Sequence, residues 1–364
     1  MRTVEVDLKE NTYPIMIGHG TLPSLGQNLE DLGLGQDAVV ITNPVVNRLH
    51  GKALAAGLKK AGFSVQAFIV PDGEKSKSVR TAFDLFQKIA RYDVRKKIFI
   101  VAFGGGVIGD LAGYVAAAYK RGIPYIQVPT TLLAQIDSAI GGKVAVDLPV
   151  GKNLVGAFYQ PKLVFSDTAV LQTLTRRQIR NGLAEAVKYG VICDEQFFHF
   201  LEANVDNLLA LDVPAMTEVV LACSRIKASV VSADEKETKG IRTILNFGHT
   251  AGHAVEAAAG FSRYHHGEAV ALGMRVALEL SCRMNLLPPP SARRVEDLLT
   301  AVGLPERIRG VTLPRIMKHM AHDKKFSGKT KKFVLAAKIG SVKVVEGLPE
   351  AVIRSAVRKY LRQS

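Results

Sequence analysis

The 364-residue sequence has no tryptophan and only three cysteines, Cys193, Cys223 and Cys282. They are odd in number, far apart and form no CxxC pair, which excludes a disulfide framework or a cysteine zinc site. Acid is scarce beside base: 33 Asp and Glu face 48 Lys and Arg, a formal charge of +15. Such a surplus suits anionic partners. Nucleic acid is not expected among them, because the basic residues are spread along the chain. The densest run, DKKFSGKTKK from Asp323, holds a single aromatic and so lacks a stacking platform for bases. Its GKT is not a Walker A ending either, since Asp323 stands where that motif requires glycine.

Long uninterrupted apolar runs are also missing. The opening MRTVEVDLKENTYPIMIG alternates like a strand and has no signal-peptide core. The greasiest stretch, FGGGVIGDLAGYVAAAYKRG (103–122), contains Asp110 and three successive glycines, poor choices for a helix in lipid. No membrane partner is expected, and a reducing, cytoplasmic setting fits.

What is present is a change of rhythm. Up to about residue 166, short apolar strands (DAVVITN, FSVQAFIV, KKIFIVAF, IPYIQVP) alternate with helical spacing such as VRTAFDLFQKIARYD. Continuous apolar strands separated by helices imply a parallel sheet covered on both faces. Beyond that point nearly every segment reads as helix, with KKFVLAAKIGSVKVVEGLP the one good late strand pair. At roughly 100–200 residues per domain, we expect an α/β domain with a Rossmann-like but non-standard parallel sheet over 1–174. A mainly α-helical domain is expected over 175–364.

Three constellations carry chemistry. The turn Gly104-x-Gly106-x-x-Gly109 follows a buried strand and opens a helix, where small residues let a pyrophosphate approach the helix N-terminus. No acid ends a strand about twenty residues later and the turn is not in the first βα unit, which argues against a standard Rossmann domain. Four of the nine histidines fall between His249 and His266, in NFGHTAGHAVE and YHHGEAVALGM. His249 and His253 share a helix face, and the two segments can pair as a hairpin whose imidazoles converge on a metal that a carboxylate would complete. In DSAIGGKVAVDLPVGKNLVGAFYQP, Lys143 and Lys152 each follow glycine within an apolar setting, with Asn153 alongside, which suits an anion.

Together with PDGEKSKS, VPTTLLAQIDSAIGGK, GLAEAVKYG, DEKETKGIRTILNFGHTAGHA, HHGEAVALGM and DKKFSGK, these segments resemble the 3-dehydroquinate synthases of the sugar-phosphate cyclase superfamily. The resemblance runs nearly the whole chain and implies that family's fold. It implies conversion of 3-deoxy-D-arabino-heptulosonate 7-phosphate to 3-dehydroquinate and phosphate in the shikimate pathway. The steps are transient oxidation, phosphate elimination, reduction and intramolecular aldol closure.

It further implies Zn2+, with Co2+ as a substitute, on Glu185, His249 and His266. NAD is implied at Gly104, Gly105, Gly106 and Asp110, with Glu74, Lys77, Thr130, Thr131 and Lys152. Asp137, Lys188, Lys227, Arg242, Asn246 and His253 correspond to catalytic residues, and Lys143, Asn153 and one of Lys324 and Lys325 to substrate contacts. Arg121 corresponds to an arginine donated across a homodimer interface. Two departures stand out: Asn43 replaces a strand-end acid that contacts the adenosine ribose, and an extra residue precedes Arg242 in ETKGIR. Alternatives are cyclases forming inosose, valiolone or aminodehydroquinate rings, and a metal-dependent polyol dehydrogenase.

Overall fold

The computed structural model describes residues 1–322 and 332–362. These form two compact units, Met1–Thr175 with Val213–Lys236, and Arg176–Asp212 with Glu237–Ser364.

The first unit is built on seven strands: β1 (Arg2–Val6), β2 (Tyr13–Gly18), β3 (Asp37–Thr42), β4 (Ser64–Ile69), β5 (Ile98–Gly104), β6 (Tyr125–Pro129) and β9 (Val164–Asp167). Between the last two in sequence lies a separate antiparallel hairpin, β7 (Lys143–Leu148) and β8 (Gly151–Phe158). The sheet order is β1-β2-β9-β6-β5-β3-β4. All neighbours are parallel except β1 and β2, so the opening alternation is one edge of the sheet turned back on itself. β5 and β6 are buried at every residue, as continuous apolar strands covered on both faces must be. The helices Val79–Tyr92 and Gly106–Ala118 contribute Leu85, Ile89, Ile108, Leu111 and Val115 to the core over β3 and β5.

One helix departs from the expected division at 174. Val213–Ala233 packs on β1 and β2, with Arg2 3.0 Å from Glu218 and the Asp7 amide donating to Ser232 Oγ at 3.0 Å. Its sequence shows an apolar stripe (Met216, Val219, Val220, Cys223, Val231) but not the surface that stripe covers.

In the second unit, the helices Arg176–Cys193, His249–Ala258 and His266–Arg283 pack together, flanked by further helices and the hairpin β10 (Lys332–Lys338) and β11 (Ser341–Glu346). The helices His249–Ala258 and His266–Arg283 touch almost backbone to backbone. A Cβ on Gly273 would lie 1.9 Å from Gly248 O, and one on Gly252 2.8 Å from Ala269 O. Among the described residues no helix is long and apolar enough to cross a membrane.

Gly273→Ala drives a methyl group into backbone that cannot yield. We expect it to destabilise the protein by about 1–3 kcal/mol, an overpacking cost, read as a lower midpoint in urea unfolding.

Candidate active site

The first constellation gathers where the sheet reverses direction. From β3 the chain adds β4 on one side, then returns to place β5 on the other. A ligand crevice in an open α/β sheet lies at such a switch point, outside the carboxyl ends of the strands. Asn43 follows β3 and Gly105 follows β5. A glycine turn outside the first βα unit thus still lies at the switch point of the sheet.

The glycines there divide their work. A Cβ at Gly104 would meet Ile108 at 2.6 Å, which is packing within the turn. Those at Gly105 and Gly106 would meet Thr131 Cγ2 at 3.1 Å and Ser138 Oγ at 3.0 Å. Gly105 caps the helix Gly106–Ala118 with no side chain, leaving its first amides for another acceptor.

Five predicted residues come together beside this turn. The buried Lys77 ammonium donates to the Asp110 carboxylate and to the Asn153 side-chain oxygen. Asp147 joins them: its Oδ1 accepts the Asn153 amide at 2.7 Å, and its own amide donates to Lys77 O at 2.8 Å. Burial pushes Asp110 up to about 6 although Lys77 pulls the other way. Lys152 and Glu74 pair more loosely, at 3.5 Å and partly exposed. Asn153, matched to a substrate contact, is therefore bonded to the group matched to the cofactor.

Thr130 and Thr131 link the turn to the next group. The Thr130 amide donates to Gly104 O at 2.9 Å, and Thr131 Oγ1 accepts the Ala134 amide at 3.2 Å. That bond opens the wide helical turn Ala134–Ser138, from which Asp137 pairs with Lys227. Asn43 caps its own turn by accepting the Val46 amide at 2.8 Å and donates to Asp72 Oδ1 at 2.8 Å. An amide can make that second bond; an ionised carboxylate at this position could not.

Arg121 and Lys143 are exposed. Arg121 and the preceding Lys120 both hold left-handed backbone (φ 66° and 50°), a strained pair in non-glycine residues. Asp93 secures that turn by pairing with Lys120 and accepting the Tyr119 hydroxyl at 3.0 Å. Lys324 and Lys325 lie outside the described residues.

The second constellation lies in the helical unit. Glu185 and Lys188, one turn apart in the helix Arg176–Cys193, are both fully buried and form an ion pair. His249 and His266 each begin a helix. Glu185 Oε1 is 3.5 Å from His249 Nε2 and 3.3 Å from His266 Nε2, and one ligand atom from each of the three lies within 4.8 Å of the others.

His249 Nδ1 lies 3.1 Å from Phe247 O, so its proton sits on Nδ1 and its Nε2 lone pair faces Glu185. Neither Glu185 oxygen makes a hydrogen bond of normal geometry despite complete burial. Lys188 neutralises this carboxylate from one side, and its other oxygen faces the two imidazoles, where a cation would complete it. Two imidazoles and one carboxylate are the donor set of a catalytic metal site, so the residues fit the metal.

The adjacent histidine has a different task. His265 caps the helix His266–Arg283 reciprocally with Glu268, whose Oε2 accepts the His265 amide at 2.8 Å. His253 stays beside the triad, its ring centre 5.2 Å from that of His249 and 5.8 Å from that of His266. Arg242 is buried, with Nε 3.4 Å from Glu237 Oε1, and Asn246 ends the same turn, Ile241–Asn246. Asp72, Asp147, Glu237 and Glu256 were not singled out from sequence; the only signal was their place inside motifs already noted.

Comparison with known proteins agrees with this arrangement. A crystal structure of 2-deoxy-scyllo-inosose synthase with carbaglucose-6-phosphate, NAD+ and Co2+ superposes with a TM-score of 0.90, at 29% identity over 99% of this chain and 100% of the other. The 2-epi-5-epi-valiolone synthase of Streptomyces hygroscopicus subsp. jinggangensis 5008, solved with NAD+ and Zn2+, gives 0.88 at 26% identity over 99% of both chains. The fold is thus that of the sugar-phosphate cyclases.

Within that class the sequence match is closer elsewhere. Residues 67–181 match the model of the 3-dehydroquinate synthase N-terminal domain and 182–326 that of its C-terminal domain. The 3-dehydroquinate synthase of Desulforamulus reducens is 45% identical over 97% of this chain and 98% of its own. The chain belongs to the 3-dehydroquinate synthase family, and it is an enzyme of that cyclase type.

In metal-free protein, burial works against charge on His266, but Glu185 and Glu256 outweigh it and raise the imidazole from 6.5 to about 9. Burial likewise opposes the Glu185 charge, yet Lys188 and His266 bring it down to about 2. A histidine raised in this way adds stability that is complete below 6.5 and disappears as pH rises through 9. Denaturant titrations of metal-free protein from pH 6 to 10 should show that loss, and the His266→Gln variant should not.

Proposed function

We propose that the chain converts 3-deoxy-D-arabino-heptulosonate 7-phosphate into 3-dehydroquinate and phosphate, as a carbon–oxygen lyase that depends on NAD and zinc. The observation that carries this reading is the buried Glu185 carboxylate facing two imidazoles with the Lys188 ammonium against it. The 45% identity to a 3-dehydroquinate synthase, against 29% and 26% to the inosose and valiolone cyclases, favours the dehydroquinate ring over theirs.

Zinc or cobalt on Glu185, His249 and His266 would act as a Lewis acid on a substrate oxygen. NAD on the Gly105–Gly106 turn, with Glu74, Lys77, Asp110, Thr130, Thr131 and Lys152, would accept a hydride and give it back, so no oxidant is consumed. The chain's own side chains do the rest. Lys188 is paired with Glu185 and would offset negative charge developing on substrate oxygen.

Asp137 keeps the Lys227 ammonium in place, and this pair, with His253, is assigned to proton movement around the elimination and aldol steps. Arg242, Lys143 and Asn246 are assigned to the substrate's anionic and hydroxyl groups. Arg121, exposed and held by a strained turn, is assigned to the substrate phosphate of the partner subunit in a homodimer.

Purified protein given the heptulosonate phosphate, NAD and zinc should release phosphate without lasting absorbance in the nicotinamide band. A chelator or His249→Ala should abolish the release, and Lys188→Ala should slow it about 10²–10³-fold, the range for a lost group that stabilises developing negative charge. Persistent NADH without phosphate release would instead mark a polyol dehydrogenase.

The dimer reading has its own test. Inactive Arg121→Ala and inactive Lys188→Ala proteins, mixed and refolded together, should regain roughly a quarter of parental activity from heterodimers in which one of two sites is intact. No recovery would place Arg121 in its own subunit's chemistry.

A further inference from the structure

His266 is engaged at both ring nitrogens. Its Nε2 lies 3.3 Å from Glu185 Oε1 and its Nδ1 lies 3.8 Å from Glu256 Oε2. His249 is arranged the same way, with Nε2 toward Glu185 and Nδ1 toward Phe247 O. Each imidazole thus turns one nitrogen to the triad and the other to an outer oxygen, so that in the neutral ring the proton stays on Nδ1 and the lone pair is on Nε2. The two outer oxygens are not alike. Phe247 offers a neutral carbonyl, Glu256 a carboxylate.

Glu256 follows His249 by seven residues and His253 by three on the helix His249–Ala258, so all three share one face. Its side chain is only 10% exposed. A carboxylate buried to that degree needs a lasting counterpart, and removing one partner of such a pair leaves an uncompensated charge. Neither the assigned substrate contacts nor the assigned proton movements call on it.

We propose that Glu256 is the positioning residue for His266: its carboxylate accepts from Nδ1–H, aims the ring and strengthens Nε2 as a metal donor. The inference rests on the metal reading given above. Glu256 acts through His266 and does not touch the substrate. The Gln side chain keeps an oxygen that can accept from Nδ1 but has no charge; Ala has neither.

The test reads metal directly. Metal-free parent, Glu256→Gln and Glu256→Ala are titrated with Co2+, following its visible d–d bands, and with Zn2+ against a competing chelator. Circular dichroism of the metal-free proteins reports folding. The dissociation constant should rise about 10–100-fold for Glu256→Ala, the usual cost of a lost outer partner, and by less for Glu256→Gln.

The Co2+ spectrum of Glu256→Ala should also differ from the parent's, since one donor is no longer aimed. If Glu256→Ala does not fold, the Gln variant carries the test with a smaller expected rise. Variants that bind both metals as tightly as the parent, with the same Co2+ spectrum, overturn the inference and leave the metal reading standing. A parent that binds neither metal overturns both.

Discussion

The second unit is organised around one carboxylate. Glu185 sits mid-helix with no access to water, and a charge in that place needs cations around it. Lys188 is supplied by the same helix one turn on, but His249 and His266 come from two others. Bringing both imidazoles to one oxygen requires their helices to approach more closely than side chains ordinarily allow. Gly248, Gly252 and Gly273 remove the atoms that would prevent it. The metal-ligand geometry and the glycine contact are therefore one constraint seen from its two ends.

The first unit solves a different problem by the same economy. Its sheet reverses strand order between β4 and β5, and the elements near that point are tied together by polar groups. Lys77 joins the PDGEKSKS loop to Asp110 of the glycine-turn helix and Asn153 of β8, while Asp147 ties β7 to both. Removing any one of these leaves another charged or polar group without its counterpart. The loop, the helix and the hairpin are thus fixed to one another by the chain's own side chains.

How much of this could be read in advance depends on the physical range of each signal. β5, the turn after it and the helix beyond were plain in the sequence, because continuous burial and glycine spacing are local properties. The histidine cluster was legible for the same reason. Glu185 was not: it lies 64 residues before His249, and a carboxylate among Leu183, Ala184 and Ala186 carries no local mark of metal binding.

The choice of His266 over His265 was equally hidden, since His265 fills a capping position that Ser or Thr normally takes. The antiparallel β1 and the surface chosen by the helix Val213–Ala233 share this limit. Periodicity reveals that a face is buried, and only the tertiary fold reveals beneath what.

That helix has a consequence for how such a chain can change over time. The polypeptide leaves the first unit after Thr175, returns at Val213 and leaves again after Lys236, so neither unit is a single stretch of the gene. One crossover near residue 175 would transfer the seven-stranded sheet without the helix that covers β1 and β2 and carries Lys227. An intact first unit therefore takes two separate stretches of the gene, and a cut at one point strips β1 and β2 of their cover.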